Sequence, residues 1–394
     1  MFATLRQIGA AARISLFSLP QRRAMSLAAA VAIAMVVFVL LGALALDNGF
    51  RHALDNSGSA DLAIVLRAGA GAEVNSTLDK QQQDLLDDAP GVVREQGRAL
   101  VSPELYMVVD GTRKAHGEQA NMTLRGVTPA ALAVRPAVRL AQGRMFRPGS
   151  NELVVGRALQ REFAGLALGA KVRIHAVDWT VVGVLDANGS VFESEMWADL
   201  HVLQSLTGRG SSIQSLRMRL TGADSLAALR RYAGNDPRLA VDIKTEQEYY
   251  AEQAKQSSDL INAIGKPLAA LMALGALAGA LNTMYSSVAE RAKEIATLRI
   301  LGYGHLSTLC GTMLESLALA LAGAAAGTLG AYLVFNGMSA STVSGGLSTL
   351  VFHMALAPAQ LAKGMAWAIA IGVLGGLFPA IRAMRQPLVN ALAE

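Results

Sequence analysis

The chain has 394 residues, enough for two soluble domains or for one soluble domain and a membrane bundle. Hydrophobic residues make up 52%, charged residues only 16%, and the mean hydropathy is +0.35, a balance high for a soluble protein and suited to a chain partly in lipid. A single cysteine, Cys310, excludes a disulfide framework and a cysteine-based zinc site, and much of the formal charge of +5 flanks apolar runs, where it reads as membrane topology rather than nucleic-acid binding.

Residues 1–23 carry Arg6, Arg13, Arg22 and Arg23 and no acid, and residues 24–46 carry no charge. At about 1.5 Å rise per residue, that run can cross a hydrocarbon core of about 30 Å. Ala43-Leu44-Ala45 has the small-x-small form of a cleavage site, but the run is longer than a signal-peptide core. It is read as an uncleaved anchor with its basic end in the cytoplasm.

Residues 47–258 have the character of a soluble domain, with scattered charge and short apolar runs punctuated by Gly and Pro. Residues 62–66, 106–109, 152–155, 172–174 and 180–185 read as strands. Residues 78–87, 157–163, 196–206 and 225–232 read as helices, which makes the class mixed α and β. Asp110-Gly111, Pro148-Gly149 and Asn188-Gly189 are the turn signals between them.

A long helical stretch covers residues 245–288, polar up to Asp259 and apolar over 268–281. It serves as a stalk from about residue 245 and as a second span over 259–286. Lys266-Pro267 interrupts it; the proline removes a backbone donor, so a kink is expected, and such breaks are tolerated in membrane helices. A bent stalk that carries motion and a lysine snorkelling at the interface are both compatible with this dipeptide. Residues 306–335 and 361–379 are the third and fourth spans, joined by residues 336–360, which are rich in Ser, Gly and Thr and lack Lys and Arg. Residues 380–394 form a tail with Arg382 and Arg385. Positive charge at both ends and in residues 287–305 places both termini inside. The predicted fold is therefore a bundle of four transmembrane helices with a mixed α/β periplasmic domain between helices 1 and 2.

Three glycine pairs at a spacing of four, Gly275/Gly279, Gly323/Gly327 and Gly372/Gly376, are candidates for close helix packing in lipid. Glu315 is a carboxylate inside an apolar run, and Asn282 is a polar group near the inner end of span two. A buried structural pairing and a direct role in substrate or proton handling are both open for Glu315. The six histidines include no i, i+4 pair, so no metal site is expected. No G-x-S-x-G elbow and no G-x-x-x-x-G-K-[ST] phosphate loop occur, so no catalytic site and no ATP hydrolysis by that route are expected.

Residues 282–302, NTMYSSVAERAKEIATLRILG, join spans two and three. Val288, Ile295, Leu298 and Leu301 recur at helical spacing, while Glu290, Arg291, Lys293, Glu294 and Arg299 supply mostly other faces. A short amphipathic helix of mixed charge suits docking to another protein; an ordinary basic loop is the alternative.

The stretch resembles the signature of FtsX-like permeases, the MacB-type group of ABC transporter membrane subunits. The matching residues are Asn282, Ser287-Val288, Glu290-Arg291, Lys293-Glu294-Ile295, Leu298-Arg299 and Leu301-Gly302, in the pattern N-x-M-x-x-S-V-x-E-R-x-x-E-I-x-x-L-R-x-x-G. Gly143-Arg144-x-Phe146, Glu152-Leu153-Val154-Val155-Gly156, Leu168-Gly169 and Val181-Val182-Gly183-Val184 resemble, in that order, the periplasmic core domain of the same group. Pro379-Ala380-x-Arg382-Ala383, Pro387 and Ala391-Leu392 resemble its C-terminal ending, with Asn390 where the family usually has Glu.

The resemblance implies an export subunit in the bacterial inner membrane that works by mechanotransmission. Glu290, Arg291, Lys293, Glu294, Ile295, Leu298 and Arg299 would dock an ABC ATPase on a separate chain. That partner, not this chain, would bind ATP and Mg. A second permease copy or paralogue would complete a dimer, and a periplasmic adaptor (a membrane fusion protein) with an outer-membrane channel would extend the pathway. An FtsX-like regulator of a cell-wall hydrolase and a LolC/LolE-like lipoprotein-releasing subunit are alternative uses of the same frame.

Overall fold

A computed structural model describes residues 23–115, 117–222, 224–290, 296–297, 300–301, 303–343 and 349–385, with isolated positions 7, 9 and 13. Two compact units emerge, one of residues 1–48, 260–338 and 354–394 and the other of residues 49–259 and 339–353.

In the second unit the chain leaves helix α1 (Arg23–Asp55) and forms β1 (Leu62–Arg67), a 3-10 turn (Glu73–Asn75), α2 (Lys80–Asp87), β2 (Arg94–Glu95), β3 (Arg98–Ala99), β4 (Val101–Thr112), β5 (Gln119–Val127) and α3 (Ala131–Val134). Then come β6 (Arg139–Gly143), β7 (Glu152–Gly156), α4 (Arg157–Glu162), β8 (Lys171–Ile174), β9 (Val177–Asp186), a 3-10 turn (Val191–Ser194) and β10 (Glu195–Asp199). After these follow α5 (Leu200–Thr207), β11 (Ser215–Arg219), α6 (Ser225–Asn235) and β12 (Val241–Thr245). The sheet order is β12-β1-β11-β4-β5-β10-β7-β9-β6, with β8 also on β9. The long β4 is the hinge of this order: Val101–Glu104 pair with β11, and Leu105–Thr112 pair with β5.

Side chains alternate across the sheet with the period of two that a pleated strand imposes. Leu105 and Val109 of β4, Met122 and Leu124 of β5, Met196 and Ala198 of β10, and Leu216 and Met218 of β11 enter one apolar core. Leu86 of α2, Leu159 of α4, Leu203 of α5 and Leu229 of α6 belong to that core as well. Burying each such large side chain contributes about 1.5–3 kcal/mol. The two parallel pairs, β5 with β10 and β7 with β9, lie within this covered part of the sheet, as parallel pairing requires.

The expected helix over 196–206 is corrected here: its first part is strand β10, and the helix begins only at Leu200. Met196 and Ala198 face the core while Trp197 faces away, a strand alternation that the sequence disguises because all three are apolar. Asp199 then accepts a hydrogen bond from the Val202 amide and starts the helix as its cap.

The glycine-bounded segments meet in one knot. Gly143 has φ +73°, and an added Cβ would lie 2.2 Å from the Val182 carbonyl oxygen; at Gly183 it would lie 2.3 Å from that of Arg144. Arg144 forms a bidentate pair with Glu152, at 2.5 and 2.7 Å, and the Arg147 amide donates to the same carboxylate at 2.9 Å. The Arg144 bonds bring the Glu152 carboxyl down to about 2.

Helix α7 (Glu246–Glu290) runs on through Pro267, followed by α8 (His305–Phe335), the hairpin β13 (Ser339–Val343) and β14 (Thr349–His353), and α9 (Pro358–Arg385). At about 1.5 Å per residue, α7 is roughly 68 Å long, about twice a hydrocarbon core. Among the described residues, four helices are long and apolar enough to cross a membrane, over Ser26–Asp55, Ala263–Ser286, His305–Phe335 and Pro358–Arg382.

In the membrane unit, α8 packs against both α1 and α9 through its small residues. A Cβ on Gly323 would lie 2.6 Å from the Ala30 carbonyl oxygen, and one on Gly327 would lie 2.4 Å from that of Ala34. Ser316 donates to the Gly372 carbonyl at 2.5 Å, and a Cβ on Gly376 would sit 2.6 Å from the Ser316 Cβ. Phe38 and Phe335 stack at 4.8 Å, and Gln360 donates to the Leu44 carbonyl at 3.0 Å.

Candidate functional site

Alternation gives the sheet a second face, and this one carries ions. Glu104 of β4, Arg125 of β5, Glu195 of β10 and Arg217 of β11 all point away from the apolar core, yet each is buried. The cover comes from Glu73 on the first 3-10 turn, Arg135 just after α3, and Glu246 with Tyr249 and Tyr250 on the first turns of α7, all buried too.

Four carboxylates thus meet three guanidiniums. Arg125 grips Glu195 at 2.6 and 2.7 Å and Glu73 at 2.7 and 3.1 Å, and reaches Glu104 at 2.8 Å. Arg217 donates to Glu246 at 2.9 Å, to Glu73 and Glu104 at 2.7 Å each, and to Ser215 at 2.8 Å. Arg135 donates to Glu104 at 2.9 Å and approaches it again at 2.6 Å, off the axis of a regular hydrogen bond. Its guanidinium also lies over the rings of Phe192 and Trp197, at 4.9 and 5.7 Å. Ser102 donates to Glu104 and the Trp197 indole to Glu195, so the carboxylates are bonded on several sides.

Burial alone would push the Glu104 carboxyl up; Arg135, Arg217 and Arg125 reverse this and bring it down to about 2. Glu73 is likewise held well below the carboxylate range against its own burial by Arg125 and Arg217. The Tyr249 and Tyr250 phenols are pushed up by burial and stay neutral. Such a cluster adds little net stability over an apolar replacement, because desolvation offsets the Coulomb gain, but losing one partner costs about 3–5 kcal/mol. It works as a fixed junction: the root of α7 has one well-defined seat on the sheet.

The residues predicted from sequence lie elsewhere. Arg291, Lys293, Glu294, Ile295, Leu298 and Arg299 fall outside the described residues, as do the side chains of Glu290 and Lys266. Flanking them, Val288 and Ala296 are buried, whereas Leu301, placed by its spacing on the Val288 face, is 70% exposed. Glu315 is buried in α8 beside Ser316, Asn282 is exposed on α7, and Pro267 is exposed within the helix. Gly323, Gly327, Gly372 and Gly376 lie at contacts within the chain, while a Cβ on Gly275 or Gly279 would meet no neighbouring atom within 4 Å. Among the described residues no cluster of three His, Cys, Asp or Glu is arranged to hold a metal.

The ion network was not foreseen. Its only trace in the sequence is a strong cation in the middle of alternating strands, Thr123-Leu124-Arg125 and Ser215-Leu216-Arg217-Met218, a pattern that ordinarily marks a solvated face.

Residues 26–235 match the MacB-like periplasmic core domain, and residues 268–388 match the FtsX-like permease C-terminal domain. The ABC transporter permease YknZ of Bacillus subtilis is 23% identical over 293 residues, which is 70% of this chain and 71% of that protein. The macrolide export ATP-binding/permease protein MacB of Bdellovibrio bacteriovorus is 24% identical over 401 residues, 90% of this chain and 57% of that protein. The chain spans about half the length of the MacB relatives it matches. The periplasmic region of MacB from Actinobacillus actinomycetemcomitans aligns with 52% of this chain and 94% of its own length, at 16% identity and a TM-score of 0.37. With one domain match filling more than half of the chain and the second covering most of the remainder, this multi-pass membrane protein belongs to the MacB/FtsX-like family of ABC transporter permeases.

Proposed function

We propose that the chain is the membrane subunit of an export system in the bacterial inner membrane, with both termini cytoplasmic, driven by an ABC ATPase on a separate polypeptide. ATP and Mg belong to that partner. Nucleotide binding would close the ATPase against residues 287–305, α7 would carry the displacement, and the periplasmic domain would rearrange to move cargo outward or toward an adaptor. The observation that supports this reading best is α7 itself: a single helix begins in the buried ion network and ends beside the signature loop.

A dimer is part of the reading. Ile264, Leu268, Leu271 and Leu274 leave one side of α7 50–66% exposed, and Gly275 lies open in the same stretch. A second copy packed there would bring two such helices together in the bilayer.

The test is affinity purification of the tagged chain from mild detergent, with ATPase activity assayed on the eluate. The expected outcome is an ATPase that co-elutes with the wild type and is lost from the variant Glu290→Lys, Arg291→Glu, Glu294→Lys. Equal co-elution with the variant would remove the docking assignment. No ATPase with a dimeric wild type would remove the separate ATPase from the reading.

A further inference from the structure

The hairpin β13–β14 plays no part in the mechanism above, yet it is built into the same domain. Leu350, Val351 and Phe352 are all buried, and Val351 belongs to the apolar core. Ser194 bridges the Val351 peptide, accepting from its amide and donating to its carbonyl, each at 3.0 Å. Phe352 meets Phe50 edge-on at 5.7 Å. Ser194 is the residue next to Glu195, and Leu350 lines a cavity of about 40 Å³ together with Glu73, Arg125, Tyr249, Tyr250 and Gln253. The two chain segments that enter this domain from span two and from between spans three and four therefore close over one small cavity above the ion network.

We infer that the network is a two-armed joint, in which Glu246 and Ser194 are positioning residues that couple the root of α7 to the hairpin β14. The inference deepens the mechanical reading above and rests on it for its use. The connection is contiguous: Glu246 is held by Arg217, Arg217 shares Glu73 and Glu104 with Arg125, and Arg125 clamps Glu195, whose neighbour Ser194 holds Val351. Arg125 and Arg217 each bond carboxylates from different elements, so a shift of Glu246 cannot be absorbed by one bond alone. Charged groups in a dry interior have few acceptable arrangements, so a displacement of one arm is passed to the other rather than absorbed within the network. The cavity, large enough for a few water molecules, gives Tyr249, Tyr250 and Leu350 room to shift. A contiguous path is only a warrant for coupling; a double-mutant cycle measures it.

The experiment is amide hydrogen exchange on the full chain in detergent, comparing wild type, Glu246→Gln, Ser194→Ala and the double variant. Exchange at β14 is expected to rise roughly three- to tenfold in Glu246→Gln, and exchange over 246–254 by a similar factor in Ser194→Ala, with the double variant less than the product of the two. Strands β7 and β9, beyond β10 in the sheet order, are expected to keep their protection. If each substitution loosens only its own arm, the joint is overturned. If Glu246→Gln also loosens β7 and β9, Glu246→Asp, which keeps the charge and shortens the reach, is read by the same criterion. These measurements need no ATPase, so failure of an ATPase to co-purify would overturn the ATP-driven export reading while leaving the coupling as measured.

Discussion

Glu104 shows how a single residue is fixed by its surroundings. It sits where β4 changes partners, and Ser102 and three arginines surround it. Its carboxyl is depressed to about 2 when folded, against about 4.3 in an unfolded chain. A depressed carboxyl stabilises the fold fully above the unfolded value and loses that contribution as pH falls through the folded one. Urea unfolding of the full chain is therefore expected to weaken between about pH 4.5 and pH 2, where the unfolded state takes up protons that the folded state does not. Glu104→Gln should flatten this dependence while lowering stability at pH 7, since three guanidiniums lose one of the carboxylates that balance them. An unchanged pH slope in that variant would mean that Glu104 is not the titrating group. Gly183 shows the same dependence on surroundings in steric form, because the Arg144 carbonyl occupies the space a side chain would need.

Among the elements, the helices of the membrane unit divide by what meets their small residues. Gly327 of α8 rests against the backbone of Ala34 on α1, so Gly327→Leu forces two helices apart and should cost about 1–3 kcal/mol or more. Gly275 of α7 meets open space, so Gly275→Leu should leave the fold of one chain intact and weaken association with a second copy. Thermal unfolding and crosslinking in mild detergent distinguish the two. Gly327→Leu should lower the midpoint with crosslinking falling only in step, and Gly275→Leu should keep the midpoint and lose the crosslink. A Gly275→Leu protein that still crosslinks fully would move the dimer contact off this face.

At the level of the whole molecule, the topology proposed from the charge pattern can be checked by labelling. With Cys310 replaced by Ala, a cysteine at Gly71, an exposed turn of the soluble domain, should react in intact cells with a maleimide that cannot cross the inner membrane. A cysteine at Ala289, at the inner end of α7, should react only after the membrane is opened. Labelling at Ala289 but not at Gly71 in intact cells would invert the proposed orientation.

What the sequence determined by itself was set by quantities local to a stretch of chain. Four long apolar runs, their flanking arginines and the dense pattern over 282–302 identify a four-span permease, because membrane insertion and helix formation depend on nearby residues. Much of the soluble domain was legible in the same way: residues 62–66, 152–155 and 225–232 lie in a strand, a strand and a helix. Residues 196–206 misled because an apolar run carries no period, and only pairing with β5 and β7 made Met196–Asp199 a strand. The hairpin was hidden in a polar connection, since its burial depends on Ser194 and Phe50, far away in the chain. Arg125 and Arg217 stand in a pattern that ordinarily marks surface charges on half-buried strands. The fold closes Glu73, Glu246 and two tyrosines over them, and burial of a charge is decided by what lies across from it, which no local pattern records.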